Sequence, residues 1–237
     1  MAQSVFPGFP AEGLDFFRSL MRNNRREWFQ PRKHIFETHL KEPMRNLVIE
    51  INREMARFAP EYVTDPDKAI YRIYRDTRFS KDKTPYKDHI AASFHRRSAD
   101  AHGEAGFYFA VSHKEVAVGG GVYMPAPPTL QAIRRHLADH HAEFRKLISG
   151  RALRELLGDM QGEQLTRVPK GFTPDHPAAD LVRYKQFLFY TELPPDLAAT
   201  RELRHAILCR FRAITPFLRF LNAPFKQERK PLLPNWK

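Results

Sequence analysis

The sequence predicts a single α+β domain over residues 9–225, in which helices cover one face of a mainly antiparallel sheet. Apolar residues recur at helical spacing near both ends of the chain, and a period-two pattern of Tyr, Phe, Ile and Val fills the middle. A length of 237 residues, of which 42% are hydrophobic, is sufficient for a core without disulfides. Residues 226–237 are predicted to form a basic C-terminal tail.

The N-terminal quarter of the chain is predicted to be a layer of helices. Leu14, Phe17 and Leu20 recur at helical spacing, which predicts a short first helix. Pro43 suits the first position of a longer helix, because that position needs no backbone N–H, and this helix is expected to continue through Arg57. An apolar stripe along the longer helix predicts that one of its sides is buried.

Alternating segments in the middle of the chain predict an antiparallel meander. Its four strands are expected over residues 70–76, 89–94, 106–112 and 116–124. The loop over 96–104, with Ser, Ala, Asp and His, is expected to be exposed. After the meander the pattern predicts a helix over 130–148, a last strand over 181–191, and a long helix over 196–221 that is kinked or divided at Pro216.

The chain is basic, with 39 Lys and Arg against 27 Asp and Glu, a formal charge of +12 and a pI near 9.9. This balance favours an anionic partner, and the sequence leaves open both an anionic small molecule and a nucleic acid. The single cysteine, Cys209, excludes an internal disulfide framework, and no apolar run reaches the length of a membrane span. We therefore predict a cytoplasmic protein with no cofactor and no membrane partner, and the oligomeric state is left open.

A cluster of charged residues between 69 and 94 is the strongest candidate for a functional site. If 70–78 is extended, Arg72, Asp76 and Arg78 point to one face of the strand and Arg75 to the other. Arginine recognises phosphate and carboxylate oxygens with a rigid fork, so these guanidinium groups predict a clamp for an anion, oriented by Asp76. The alternative interpretation is an internal network of ion pairs that ties a loop to the sheet.

The polar loop over 80–87 extends this cluster. Its backbone amides and Lys83 suit an anion nest, and the hydroxyl of Tyr86 suits a hydrogen-bond donor to an anion or a general acid. The simpler interpretations are a solvated hairpin loop and a tyrosine that only packs. Lys170 lies on a later loop that either folds over the same site or is ordinary surface. The ligand-binding candidates are thus Arg72, Arg75, Arg78, Lys83, Tyr86 and Lys170, and the catalytic candidates are Asp76 and Tyr86.

Other chemical signatures are weak. His136 and His140 are one helical turn apart, but no third ligand completes a zinc pattern, so we predict no metal site. The glycine run over 119–121 predicts close packing within a strand better than a phosphate loop, because no helix follows it directly. No dinucleotide fingerprint, Walker loop or serine nucleophile elbow occurs in the sequence.

The charged cluster resembles the signature of a known protein family. The run from Arg72 through Arg75, Asp76, Arg78 and Phe79 to Asp82, Lys83 and Tyr86 resembles the signature of a sparsely distributed, mainly bacterial family of conserved hypothetical proteins. The resemblance extends from Phe9 to about Phe225, and it includes 23–24, 28–29, 119–121 and 167–177. It implies membership of a domain family of unknown function and transfers no activity.

Three functional hypotheses follow from the sequence. The first is recognition of a phosphate- or carboxylate-bearing molecule at the Arg, Asp, Lys and Tyr cluster, with or without metal-independent catalysis. The second is a nucleic-acid-binding protein that uses its charge and aromatic residues. The third is a structural or partner-binding module in which the cluster only braces a loop. The sequence leaves open whether the protein is an enzyme.

Overall fold

A computed structural model describes residues 6–96 and 103–225, and it confirms an α+β fold built on a four-stranded antiparallel sheet. The strands are β1 (His89–His95), β2 (Gly106–Ser112), β3 (Val116–Val122) and β4 (Phe187–Leu193). They lie side by side in chain order, so the sheet is a meander in which one long connection joins β3 to β4. The predicted C-terminal tail, 226–237, lies outside the described residues.

Helices form before, between and after the strands. They are α1 (Ala11–Arg22), α2 (Arg26–Phe29), α3 (Lys33–Phe36), α4 (Glu42–Phe58), α5 (Pro66–Ala69), α6 (Pro127–Asp139), α7 (His141–Ile148), α8 (Arg151–Leu157) and α9 (Glu202–Asn222). Short 3-10 turns occupy Gln30–Arg32, Pro60–Tyr62 and Pro195–Ala199, and a π-helical turn, Glu37–Lys41, joins α3 to α4. The helical layer predicted at the N-terminus is therefore present.

The core lies between α9 and one face of the sheet. The buried ring of Phe211 on α9 stacks on Phe107 of β2 at 4.5 Å between ring centroids and meets the edge of Phe94 of β1 at 5.7 Å. Burial of each such ring contributes about 2–3 kcal/mol of hydrophobic free energy. Gly121 lets β3 approach β4, because a Cβ there would come within 2.0 Å of the Phe187 carbonyl oxygen, which confirms close packing at the glycine run.

Several predicted elements are corrected by the structure. The last strand begins at Phe187 rather than at 181, and the helix predicted over 130–148 is divided into α6 and α7 at His140. The long C-terminal helix begins at Glu202 and continues through Pro216 without a break. Pro216 is exposed, so its ring faces water rather than a packed neighbour.

The loop predicted to be exposed over 96–104 is not exposed at its two ends. Glu104 is buried and accepts a hydrogen bond of 3.0 Å from the Nε of Arg96, so the two side chains neutralise each other. Residues 97–102 lie outside the part of the chain that the structure describes. Within the described residues, no helix is both long enough and apolar enough to cross a membrane.

Candidate functional site

The predicted first strand, 70–76, is not a regular strand but the first arm of an irregular hairpin. We call residues 70–92 the charged hairpin, with a first arm (70–74), a tip (75–84) and a second arm (85–92). The arms are antiparallel and form isolated bridges between Ile70 and Ala92 and between Tyr74 and Tyr86. The separation between bridges is four residues on the first arm but six on the second, so the second arm bulges and the ladder is interrupted.

Arg75 is bonded within the tip. Its guanidinium donates to the carboxylate of Asp82 and to the hydroxyl of Thr84. The Asp82 carboxylate also accepts from the Thr84 backbone N–H at 2.9 Å. The Thr84 amide and then Arg75 lower the pKa of Asp82 to about 2, so this carboxylate is charged at neutral pH. Arg75 thus acts as a brace across the tip.

Arg78 and Lys83 also find acceptors within the tip. Asp76 accepts from the Nε of Arg78 at 3.0 Å and from its Nη2 at 2.7 Å, a bidentate pair. These bonds, followed by one from the Arg78 backbone N–H, lower the pKa of Asp76 to about 2. The Nζ of Lys83 donates to the carbonyl oxygen of Thr77 at 2.9 Å. The Asp76–Arg78 pair is exposed, so it shapes the tip more than it stabilises the fold.

Tyr86 anchors the hairpin to the helical layer. Its buried ring stacks on Phe29 with centroids 4.1 Å apart, and burial raises the pKa of its phenol. The Asn24 side chain accepts from the Tyr86 backbone N–H at 3.0 Å and donates to its carbonyl oxygen at 2.9 Å. One amide side chain therefore satisfies both backbone groups of Tyr86, as a neighbouring strand would.

A cleft opens where the first arm of the hairpin faces α3, the π-helical turn and α4. We call it the cationic cleft, and its volume is about 240 Å³. Its floor is apolar, with Phe29, Phe36 and Ile73. Its other lining residues are Lys33, Glu37, Lys41, Arg45, Asp67, Ile70, Tyr71, Arg72 and Tyr74. Four cations and two carboxylates thus surround a hydrophobic base.

The cations of the cleft differ in their partners. Lys41 pairs with Glu37 at 2.8 Å, and Arg45 lies 3.5 Å from Asp67. Lys33 and Arg72 are exposed, and neither forms a salt bridge within residues 6–96 and 103–225. The cleft therefore offers two cations whose hydrogen-bond donors are directed to solvent or to a ligand.

The π-helical turn contributes two residues to the cleft. Pro43 has no N–H for the carbonyl of His39, one turn earlier, which favours a wider turn at this place. Gly13 of α1 packs against the same carbonyl, since a Cβ there would lie 2.6 Å from the His39 oxygen. This turn carries Glu37 and Lys41, so a local backbone irregularity builds one wall of the cleft.

Comparison with known proteins identifies the family. Residues 12–220 match the model of a family described as conserved hypothetical protein (DUF2461). The chain belongs to this family. The family resemblance predicted from the sequence is thereby confirmed, and the matched range of this DUF2461 chain contains both the charged hairpin and the cationic cleft. No curated protein and no solved structure matches the chain.

The structure of this DUF2461 chain separates the six predicted ligand-binding residues. Arg72 lines the cleft, whereas Arg75, Arg78 and Lys83 lie in the tip and are bonded there. The ring of Tyr86 lies in the core behind Phe29. Lys170 is exposed on the connection between β3 and β4 and does not line the cleft. Ligand binding at these positions stays a prediction.

Sequence reasoning missed the helical wall of the cleft. Lys33, Glu37, Lys41 and Arg45 follow one another at intervals of four residues, and side chains so spaced share one side of a helix. That spacing was the available signal. Among the residues described for this DUF2461 chain, we find no group of three or more His, Cys, Asp or Glu side chains arranged to hold a metal ion.

Proposed function

We propose that the cationic cleft binds a small anionic ligand that carries a phosphate or carboxylate group. The observation that supports this proposal is that Arg72 and Lys33 both line the cleft without a carboxylate partner in the described chain. Every charged side chain of the tip that could compete for an anion already has an acceptor, apart from the exposed Lys81. The recognition site is therefore proposed at Arg72 rather than at Arg78.

The shape of the cleft suggests what part of a ligand it takes. A volume of about 240 Å³ is smaller than the roughly 300–1,000 Å³ of pockets that enclose a drug-sized molecule. The cleft suits an anionic group with a planar or apolar neighbour, because cations surround a floor that contains Phe29 and Phe36. The guanidinium of Arg72 would take two oxygens of the anion, and Lys33 would add a point charge.

We propose binding rather than catalysis at this place. The two carboxylates of the cleft, Glu37 and Asp67, each lie beside a cation, Lys41 and Arg45 respectively, as in a structural ion pair. Tyr86, one of the two catalytic candidates predicted from the sequence, presents its ring to the core. Asp76 is held in a bidentate pair with Arg78, which leaves it as a structural acceptor.

Isothermal titration with inorganic phosphate and with phenyl phosphate tests the proposal. We expect phenyl phosphate to bind more tightly, because its ring reaches the apolar floor. Arg72→Ala should weaken its binding at least tenfold, since a hydrogen-bonded charge contributes about 1.5–3 kcal/mol. Arg72→Lys should give an intermediate affinity because it keeps the charge but loses the fork.

Arg78→Ala is the matched control, since it removes a guanidinium from the same segment and changes the net charge equally. It should bind phenyl phosphate within about twofold of the unmodified protein. Equal affinity of Arg72→Ala and the unmodified protein, or an equal loss in both variants, would contradict the proposal. Circular dichroism and thermal unfolding of each variant show whether the fold is intact.

A further inference from the structure

Phe79 is held at the surface rather than buried. Its side chain is 95% exposed, more than that of the other exposed large hydrophobic residues of the described chain. Burying such a ring would release about 2–3 kcal/mol, so a folded chain gains nothing by leaving it in water. Its ring lies 5.7 Å from the guanidinium carbon of Arg78, which is itself fixed by Asp76. The ring therefore projects from the braced tip of the charged hairpin.

The surroundings of Phe79 are positive. Lys81 and Lys83 are exposed on the same tip, together with Arg78, whose side chain is 77% exposed. The two carboxylates of the tip, Asp76 and Asp82, already accept from arginines. Their charges are thereby compensated, and the lysines leave the tip with a net positive charge. An anionic partner is complementary to this surface.

Exposed aromatic rings and cations alternate from the tip to the cleft. Tyr74 and Tyr71 are 42% and 43% exposed, and both line the cleft with Arg72. Lys87 lies over the Tyr71 ring, with its Nζ 4.9 Å from the ring centroid. A surface that binds single-stranded nucleic acid combines cations, which contact the phosphates, with aromatic rings, which stack on the bases.

We infer that the cationic cleft and the hairpin tip together bind a single-stranded nucleic acid. This inference rests on the proposed function, since the anion in the cleft is then one phosphodiester of the strand. Arg72 and Lys33 hold that phosphate, and Phe79 stacks on a base of the same strand. A lipid bilayer is the weaker alternative, because one projecting ring accounts for insertion but not for the two half-exposed tyrosines that line the cationic cleft.

Fluorescence anisotropy with labelled oligothymidine and oligouridine of about 12 nucleotides tests the inference, within the site sizes that such surfaces cover. At about 0.15 M salt, Phe79→Ala should weaken binding about tenfold, and Phe79→Leu nearly as much, because leucine is apolar but cannot stack. Phe79→Trp should keep the affinity. Arg72→Ala should weaken binding and reduce the slope of log affinity against log salt by about one.

Two controls separate this inference from overall charge and from the proposed function. Arg135→Ala removes an exposed cation from α6 and should leave oligonucleotide affinity within about twofold. Phe79→Ala should bind phenyl phosphate as the unmodified protein does. If the unmodified protein binds phenyl phosphate through Arg72 but no oligonucleotide, this inference is wrong and the proposed function stands.

Three further results would overturn the inference. Oligonucleotide affinity that is unchanged in Phe79→Ala would show that the ring does not stack. Equal losses in Arg135→Ala and Arg72→Ala would show that only net charge matters. Binding to vesicles that contain an anionic lipid, dependent on Phe79 and without oligonucleotide binding, would identify a membrane surface as the partner.

Discussion

The cationic cleft and the tip of the charged hairpin are adjacent in sequence and carry the same residue types, but they use them differently. In the tip, Arg75 and Arg78 are bonded to Asp82 and Asp76. In the cleft, Arg72 forms no salt bridge within the described chain. Arginines that are neighbours in sequence therefore do not form one site. The carboxylates that follow Arg72 pair with Arg75 and Arg78, so the guanidinium of Arg72 has no salt-bridge partner within the described chain.

We expect the largest effect from Asn24, because its side chain anchors the hairpin that forms both the tip and one side of the cleft. Asn24→Ala removes both hydrogen bonds to the backbone of Tyr86 and leaves the N–H and C=O of a buried residue unsatisfied. We expect a loss of about 2–4 kcal/mol in the free energy of unfolding. Thermal unfolding should then show a midpoint roughly 5–15 °C lower.

Asn23→Ala is the control for that variant, because the Asn23 side chain donates only to the carbonyl of Ser19 at an exposed place. Its midpoint should stay within about 2 °C of the unmodified protein. If Asn24→Ala unfolds at the same temperature as Asn23→Ala, the hairpin is not anchored through Tyr86.

A smaller effect is expected when the brace of the tip is removed. Arg75→Ala breaks the contacts to Asp82 and Thr84, and we expect a loss of about 0.5–1 kcal/mol in stability. Hydrogen exchange of the amides over 76–84 should become faster, while phenyl phosphate binding in the cleft stays the same. Lys81→Ala, which removes an exposed cation from the same tip, should change neither quantity. Loss of phenyl phosphate binding in Arg75→Ala would contradict the division between brace and cleft.

The smallest effect is a response to pH that is confined to the tip. Hydrogen bonds from Arg78 lower the pKa of Asp76 from 3.8 to about 2. A lowered carboxyl pKa means that the stabilisation from the pair is complete above the ordinary value and is lost as pH falls through about 2. Carbon NMR should show Asp76 charged at pH 3.5, and in Arg78→Ala its titration midpoint should return close to 3.8. A midpoint already close to 3.8 in the unmodified protein would show that the pair does not form in solution.

The sequence predicted the fold class better than it predicted the local structure of the charged cluster. Period-two patterns located β1, β2 and β3, because successive side chains of a strand point to opposite faces of the sheet. The same pattern over 70–76 was misleading, since the second arm has two residues more than the first between the bridges. A bulge of this kind depends on how two segments pair, which no single segment encodes.

The pairing of the arginines was only partly predictable. Asp76 forms a bidentate pair with Arg78, one of the two arginines that the sequence assigned to the same face. The contact of Arg75 with Asp82 needs the fold of the whole tip, so spacing alone does not reveal it. The helical wall with Lys33 and Lys41 was visible as a four-residue repeat, but only the structure places that repeat opposite Arg72.

A titration with phenyl phosphate, monitored by the NMR signals of the arginine Nε–Hε groups, tests most directly whether Arg72 recognises the anion. We expect the Arg72 signal to shift and to saturate, because its donors are free to bind the anion. The Arg75 and Arg78 signals should stay in place, because Asp82 and Asp76 already engage these side chains. A saturating shift of Arg78 or Arg75 with Arg72 unmoved would show that the tip, and not the cleft, recognises the anion.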